Sequence, residues 1–153
     1  MEMKQEFARR QILVAETAPV IVHALRSLLS EGPLESTVDS VILRFDLIDR
    51  LQANSVDLLI LDPVCVQRDV DIGNLDCLIE LRRRFPCVPI LFCTTLRDVI
   101  ILDEIFCMNR IGICSKSDEM IDIFRLCEQL LSGNYGGVSP KIDAMFRGAR
   151  QLL

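Results

Sequence analysis

Short apolar runs of strand length recur along this chain, each followed by a segment with helical period. Ile12-Leu13-Val14-Ala15, Leu58-Leu59-Ile60-Leu61, Pro89-Ile90-Leu91-Phe92-Cys93 and Ile111-Gly112-Ile113-Cys114 are continuous apolar stretches. That is the pattern of a strand buried on both faces. A weaker strand is expected over residues 36–42. Between the runs, apolar residues fall on one helical stripe: Ile21, Ala24, Leu25 and Leu28; Phe45, Ile48 and Leu51; Leu75, Leu78 and Leu81; Leu102, Ile105 and Phe106; Ile123, Leu126 and Leu130. Five strand–helix alternations predict an α/β domain with helices on both faces of a parallel sheet. A five-stranded unit of this kind favours the flavodoxin-like (βα)5 doubly wound order 2-1-3-4-5.

After the fifth helical segment, Gly133-Asn134-Tyr135-Gly136-Gly137 interrupts the pattern. A last helix is predicted over 140–151, with Ser139 as N-cap and Pro140 in the first turn. Ile142, Met145, Phe146, Ala149 and Leu152 share its apolar stripe. A helix of about three turns is marginal alone in water, so the stripe needs a partner. Met145 and Phe146 together favour a second copy of the chain over the chain's own domain. The expected organisation is an N-terminal extension over 1–10, one domain over 11–138, and a C-terminal linker-type helix over 139–153.

The chain has 153 residues and a net charge of −5. One domain of that length can bury a full core. An acidic domain is repelled by phosphates, which argues against direct nucleic-acid binding. No run approaches the length of a membrane span, and the charged start has no apolar signal core, so a cytoplasmic protein is expected. The seven cysteines contain no CxxC. Cys77, Cys87, Cys93, Cys107, Cys114 and Cys127 read as free thiols on apolar helix faces or strands. Cys65, close after Asp62, is the one candidate for a redox role. Neither GxGxxG nor GxxxxGK[ST] occurs, and the single histidine, His23, falls on an exposed helix position. An enzyme or nucleotide-binding reading therefore ranks last.

In an open parallel sheet, ligands bind outside the carboxyl ends of the strands. The polar residues that end the apolar runs are Glu16-Thr17, Asp62, Thr94-Thr95 and Ser115-Lys116. Two carboxylates, a hydroxyl and an ammonium are expected to converge there. Carboxylates can hold a hard cation through oxygen, and the Lys and Thr can receive phosphoryl oxygens.

Over residues 11–141 these features resemble the response-regulator receiver domain, within it the NarL/FixJ (LuxR-family) group. Ile12-Leu13-Val14-Ala15-Glu16-Thr17-Ala18-Pro19 is similar to the family's first strand and acidic pair. Asp57-Leu58-Leu59-Ile60-Leu61-Asp62 is similar to the strand that ends in the phospho-accepting aspartate. Val88-Pro89-Ile90-Leu91-Phe92-Cys93-Thr94 and Gly112-Ile113-Cys114-Ser115-Lys116-Ser117 resemble the strands ending in the switch hydroxyl and the lysine. Gly133 to Pro140 resembles the run that precedes the output domain. The resemblance implies that Asp62 is the acceptor, Glu16 and Thr17 form the acidic pocket, and Thr94 and Lys116 contact the phosphoryl group. It also implies Mg²⁺ at Glu16 and Asp62, and the switch at Ile113.

Three departures stand against active phosphorylation. Thr17 occupies a position where the family has a carboxylate that ligates Mg²⁺, and a hydroxyl is a weak neutral ligand. Phosphoryl transfer to an anionic carboxylate needs a cation to neutralise the developing charge. Weak or absent Mg²⁺ binding is therefore expected, with no other cofactor. The loop after Asp62 is about four residues longer than in the family, and Pro63 removes a backbone N–H beside the site. Asp69 and Asp71 in that loop read as solvated. Ile113 stands where the family has its switch Tyr or Phe. With Val99, Ile100 and Ile101 it is expected to form an apolar patch.

The sequence thus reads as an atypical receiver (pseudo-receiver), not an enzyme, that regulates transcription through protein contacts independently of phosphorylation. The alternative is a phosphorylatable receiver driven by a histidine kinase. A homodimer or a regulatory protein partner is expected, with no membrane. Any DNA contact would belong to a helix-turn-helix domain outside this segment.

Overall fold

The computed structural model describes residues 9–31, 34–67, 70 and 74–151. Among them, five strands alternate with five helices, and a sixth helix follows. The order is β1 (Gln11–Ala15), α1 (Pro19–Ser30), β2 (Thr37–Val41), α2 (Arg44–Ala53), β3 (Leu58–Leu61), a 3-10 turn (Pro63–Cys65), α3 (Asp76–Arg84), β4 (Ile90–Thr94), α4 (Val99–Phe106), β5 (Ile111–Ser115), α5 (Met120–Leu131) and α6 (Pro140–Gln151). The strands form one parallel sheet in the order β2-β1-β3-β4-β5, with Val14 beside Ile60 and Phe92 beside Ile113. This is the expected doubly wound flavodoxin-like fold with a C-terminal helix.

Side chains alternate across a strand, so each apolar run supplies both faces of the sheet. Ile12, Val14, Leu58, Ile60, Leu91, Cys93 and Cys114 pack with Leu25 and Leu29 of α1 and with Ile123, Leu126, Cys127 and Leu130 of α5. Leu13, Ala15, Leu59, Leu61, Ile90, Phe92, Ile111 and Ile113 meet Leu47 and Leu51 of α2, Leu78 and Leu81 of α3, Leu102 and Ile105 of α4, and Ile142 of α6. Aliphatic burial of this extent is the main stabilising term.

Several local expectations need correction. Phe45 is 81% exposed, and the buried stripe of α2 runs through Leu47 and Leu51. Two residues are about 200° around a helix, which sets Phe45 opposite Leu47. Cys87 and Cys107 are exposed, because each lies just past a helix end; Cys77 is half-buried, and Cys93, Cys114 and Cys127 are buried. Ile101 and Ile113 are buried and so do not join Ile100 in a surface patch.

The apolar stripe of α6 packs in part against the chain's own domain, where a second copy was favoured. Ile142 is fully buried in the core, and Met145 and Phe146 pack against it. Ser139 Oγ accepts from the Ile142 N–H at 3.4 Å, and Pro140 opens the helix as expected. The segment before it extends the sheet. Gly136 N donates to Ile111 O, Ile113 N donates to Gly137 O, and Ser139 N donates to Ile113 O. Edge strand β5 is thereby capped, which removes an open row of hydrogen-bonding groups. A Cβ at Gly137 would lie 2.8 Å from Leu126 Cδ2 and from Gln129 Oε1, so those side-chain ends would have to shift to admit one. Leu152 and the 1–10 extension, apart from Arg9 and Arg10, lie outside the described residues.

Candidate functional site

The strand ladder carries the predicted residues to one edge. Glu16 N donates to Val41 O at 3.3 Å, Asp62 N to Ala15 O at 2.9 Å, and Lys116 N to Thr94 O at 3.0 Å. Each backbone bond continues the sheet one residue past a strand end, so the side chains leave from neighbouring positions.

Glu16, Asp62 and Lys116 meet there. Lys116 Nζ lies 2.7 Å from Glu16 Oε1 and 2.6 Å from Asp62 Oδ2. The Glu16, Asp62 and Lys116 side chains are 2%, 8% and 15% exposed. Glu16 Oε1 also accepts from the Ala18 N–H at 3.0 Å, and Asp62 Oδ1 accepts from the Val64 N–H at 3.1 Å. The latter bond holds the 3-10 turn against Asp62, although Pro63 itself has no N–H to give. Burial works against the Lys116 ammonium, but the hydrogen bonds and charges of Asp62 and Glu16 outweigh it and raise its pKa.

Thr94 is buried at the same edge, and its Oγ1 accepts from the Leu96 N–H at 3.0 Å. Thr17 is exposed and makes no hydrogen bond among the described residues. Asp69 and Asp71 lie outside the described residues. Cys65 is half-buried nearby, and its thiol is pushed up to about 12 by burial and then by the charges of Asp62 and Glu16. Those surroundings oppose the thiolate, the reactive form. The exposed position of His23 is as expected.

Ile113 is fully buried, with Val138 beside it and both its backbone groups bonded to the 137–139 segment. Asp118 is a site-shaping residue that the sequence reading missed. Its Oδ2 accepts from Ser115 N at 2.7 Å and its Oδ1 from Lys141 N at 3.3 Å. The Asp three positions after Ser115, in a Ser-Lys-Ser-Asp turn, was the available signal.

The donor set does not suit Mg²⁺. The ion demands near-octahedral oxygen coordination. Here one oxygen of each carboxylate is held by the same ammonium, and among the described residues the neighbouring Thr17 offers only a neutral hydroxyl. Among the described residues, no group of three or more His, Cys, Asp and Glu side chains could hold a metal ion. No described helix is long and apolar enough to cross a membrane.

No family model and no curated protein matches the sequence. Solved structures do. The RcsB response regulator of Salmonella typhimurium superposes with a TM-score of 0.76 at 18% identity, over 91% of this chain and 66% of that one. The isolated REC domain of RcsB from Salmonella enterica serovar Typhimurium gives 0.73 at 18% identity, over 90% of this chain and 98% of the other. A signal receiver domain of an HD domain-containing protein from Pseudomonas fluorescens Pf-5 gives 0.69 at 21% identity, over 82% and 89%. The chain thus spans just under two thirds of the RcsB response regulator and nearly all of its isolated receiver domain. Its fold is that of a response-regulator receiver.

Proposed function

We propose that this chain is a pseudo-receiver: a non-enzymatic signalling module of the NarL/FixJ type that acts through protein contacts without being phosphorylated. The observation that carries this reading is the Lys116 bridge to both Glu16 and Asp62 beside a neutral Thr17. A fixed ammonium offsets one of the two carboxylate charges, and the position that would complete a metal site carries no charge. The buried, doubly bonded Ile113 supports the same reading, because an aliphatic side chain under α6 has no exposed rotamer to visit. The rim of the same sheet edge supports protein contact: Val20, Ile42, Leu43, Phe45 and Val64 are all more than half exposed there. Exposed apolar clusters of this kind mark interaction surfaces. A structure of RcsB bound to DNA exists. By analogy, regulation of transcription by this protein would run through a separate helix-turn-helix domain or a DNA-binding partner.

The second reading, phosphorylation of Asp62 by a histidine kinase, draws on the 2.6 Å contact between Lys116 and Asp62 and on Thr94 at the same edge. Incubation with acetyl phosphate and Mg²⁺, followed by intact mass measurement, separates the two. The expected result is no phosphoryl adduct. An adduct that is absent from Asp62→Asn would establish the second reading instead.

A further inference from the structure

The carboxyl ends of β4 and β5 open onto a cavity on the α6 side of the Lys116 bridge. It encloses about 520 Å³ between the residues after β4, the turn after β5 and the first turns of α6. Three cations line it, Arg97, Lys116 and Lys141, together with the hydroxyl residues Thr95, Ser115 and Ser117. No carboxylate is among its described lining residues, although the chain as a whole carries a net charge of −5.

The cations differ in what they leave for a ligand. Lys116 spends its charge on Glu16 and Asp62. Lys141 Nζ donates to Ser117 O at 2.6 Å, which uses one of its ammonium protons and leaves the others. Arg97 is exposed and makes no hydrogen bond or ion pair among the described residues. The Asp118 carboxylate is turned to backbone, where it accepts from Ser115 N and Lys141 N. It thereby ties the turn after β5 to α6 and carries Lys141 to the cavity without lining it.

A guanidinium and an ammonium among hydroxyls, with no carboxylate beside them, form a donor set for an anion. Phosphate matches it well, because its oxygens take the guanidinium fork in two parallel bonds. Ala144 and Met145 of α6 add an apolar wall that a bare inorganic ion has no use for. The volume lies within the range of about 300–1,000 Å³ usual for small-molecule sites. We propose that this cavity reversibly binds an organic phosphate of nucleotide size. Its phosphate sits on Arg97 and Lys141, and its organic body lies against Ala144 and Met145. Asp62 does not line the cavity, and nothing is transferred to it. The site stands apart from the pseudo-receiver reading. A phosphoryl adduct on Asp62 would sink that reading alone, and a cavity that binds no organic phosphate would sink this one alone.

The test is isothermal titration of the full chain in EDTA, which removes the divalent cation that phosphoryl transfer needs. The probes are adenosine monophosphate, inorganic phosphate and adenosine. Adenosine monophosphate should bind at least about tenfold more tightly than inorganic phosphate, and adenosine should not bind measurably. Arg97→Gln and Lys141→Gln should each weaken adenosine monophosphate about tenfold, through loss of a charge-assisted hydrogen bond. Arg97→Gln should melt like the wild type, since its side chain has no partner among the described residues to lose. Arg26→Gln, which removes an exposed cation of α1 outside the cavity, should bind like the wild type. No affinity for adenosine monophosphate, an equal affinity for inorganic phosphate, or a loss in Arg26→Gln as large as that in Arg97→Gln would each overturn the proposal.

Discussion

Val138 lies beside Ile113 in parallel register, and one turn later Ile142 enters the same core. The 136–142 segment therefore closes the edge of β5 with backbone and then its face with a side chain. Deleting Ile142 atoms opens a cavity lined by residues that relax only partly. Ile142→Ala should destabilise the protein by about 3 kcal/mol, read as a lower urea midpoint with an unchanged slope. Truncation after Ser139 should leave the domain largely unfolded, with apolar-dye binding in the remainder. A truncated chain that melts like the full one would show that α6 is an appendage.

How much of this was legible in the sequence depends on the signal each element gives. The sheet order followed from four aliphatic runs at regular spacing, because a strand buried on both faces cannot be anything but apolar. The Glu16, Asp62 and Lys116 cluster followed from the strand ends alone. The helical stripe of α6 was legible too, but its partner was not, since apolar periodicity says a face is covered and not by what. Gly133 to Val138 read as a break and, by resemblance, as the run before an output domain; its role in capping β5 comes from backbone bonds that any residue with room for them can make. Phe45 misled because a short helix carries too few apolar positions to fix the phase of its stripe.

Lys116 holds two buried carboxylates, so its removal should leave them facing each other. Lys116→Met should cost about 3 kcal/mol at neutral pH, the range for breaking a buried pair by removing one partner. In the wild type the contribution of Lys116 depends on pH at the alkaline end. The folded-state pKa of Lys116 lies above its ordinary value of 10.5. Its contribution is therefore complete below that value and is lost as pH rises through the raised one. Urea midpoints across neutral and alkaline buffers check both. A variant as stable as the wild type at neutral pH would mean that Glu16 and Asp62 do not depend on the ammonium's charge.

Thr17 is the residue at which a further carboxylate can be added to the site. It is exposed, it follows Glu16 directly, and it makes no hydrogen bond among the described residues. Thr17→Asp therefore disturbs no packing and adds a third carboxylate beside the two that Lys116 bridges. Three carboxylates against one ammonium leave a net charge that a small divalent cation can neutralise, with oxygen donors of the kind Mg²⁺ accepts. The variant should bind Mg²⁺ at least about tenfold more tightly than the wild type, the factor that about 1.4 kcal/mol supplies, measured by isothermal titration. It should also be less stable than the wild type in the absence of divalent ions, because the added charge is then unscreened at short range. Adding Mg²⁺ should restore its melting temperature, by preferential binding to the folded state. If Thr17→Asp gains neither affinity nor Mg²⁺-dependent stability, the neutral hydroxyl is not what keeps the cation away. The fixed contact of Lys116 with both carboxylates would then be the cause, and Thr17→Asp combined with Lys116→Met should bind where the single variant does not.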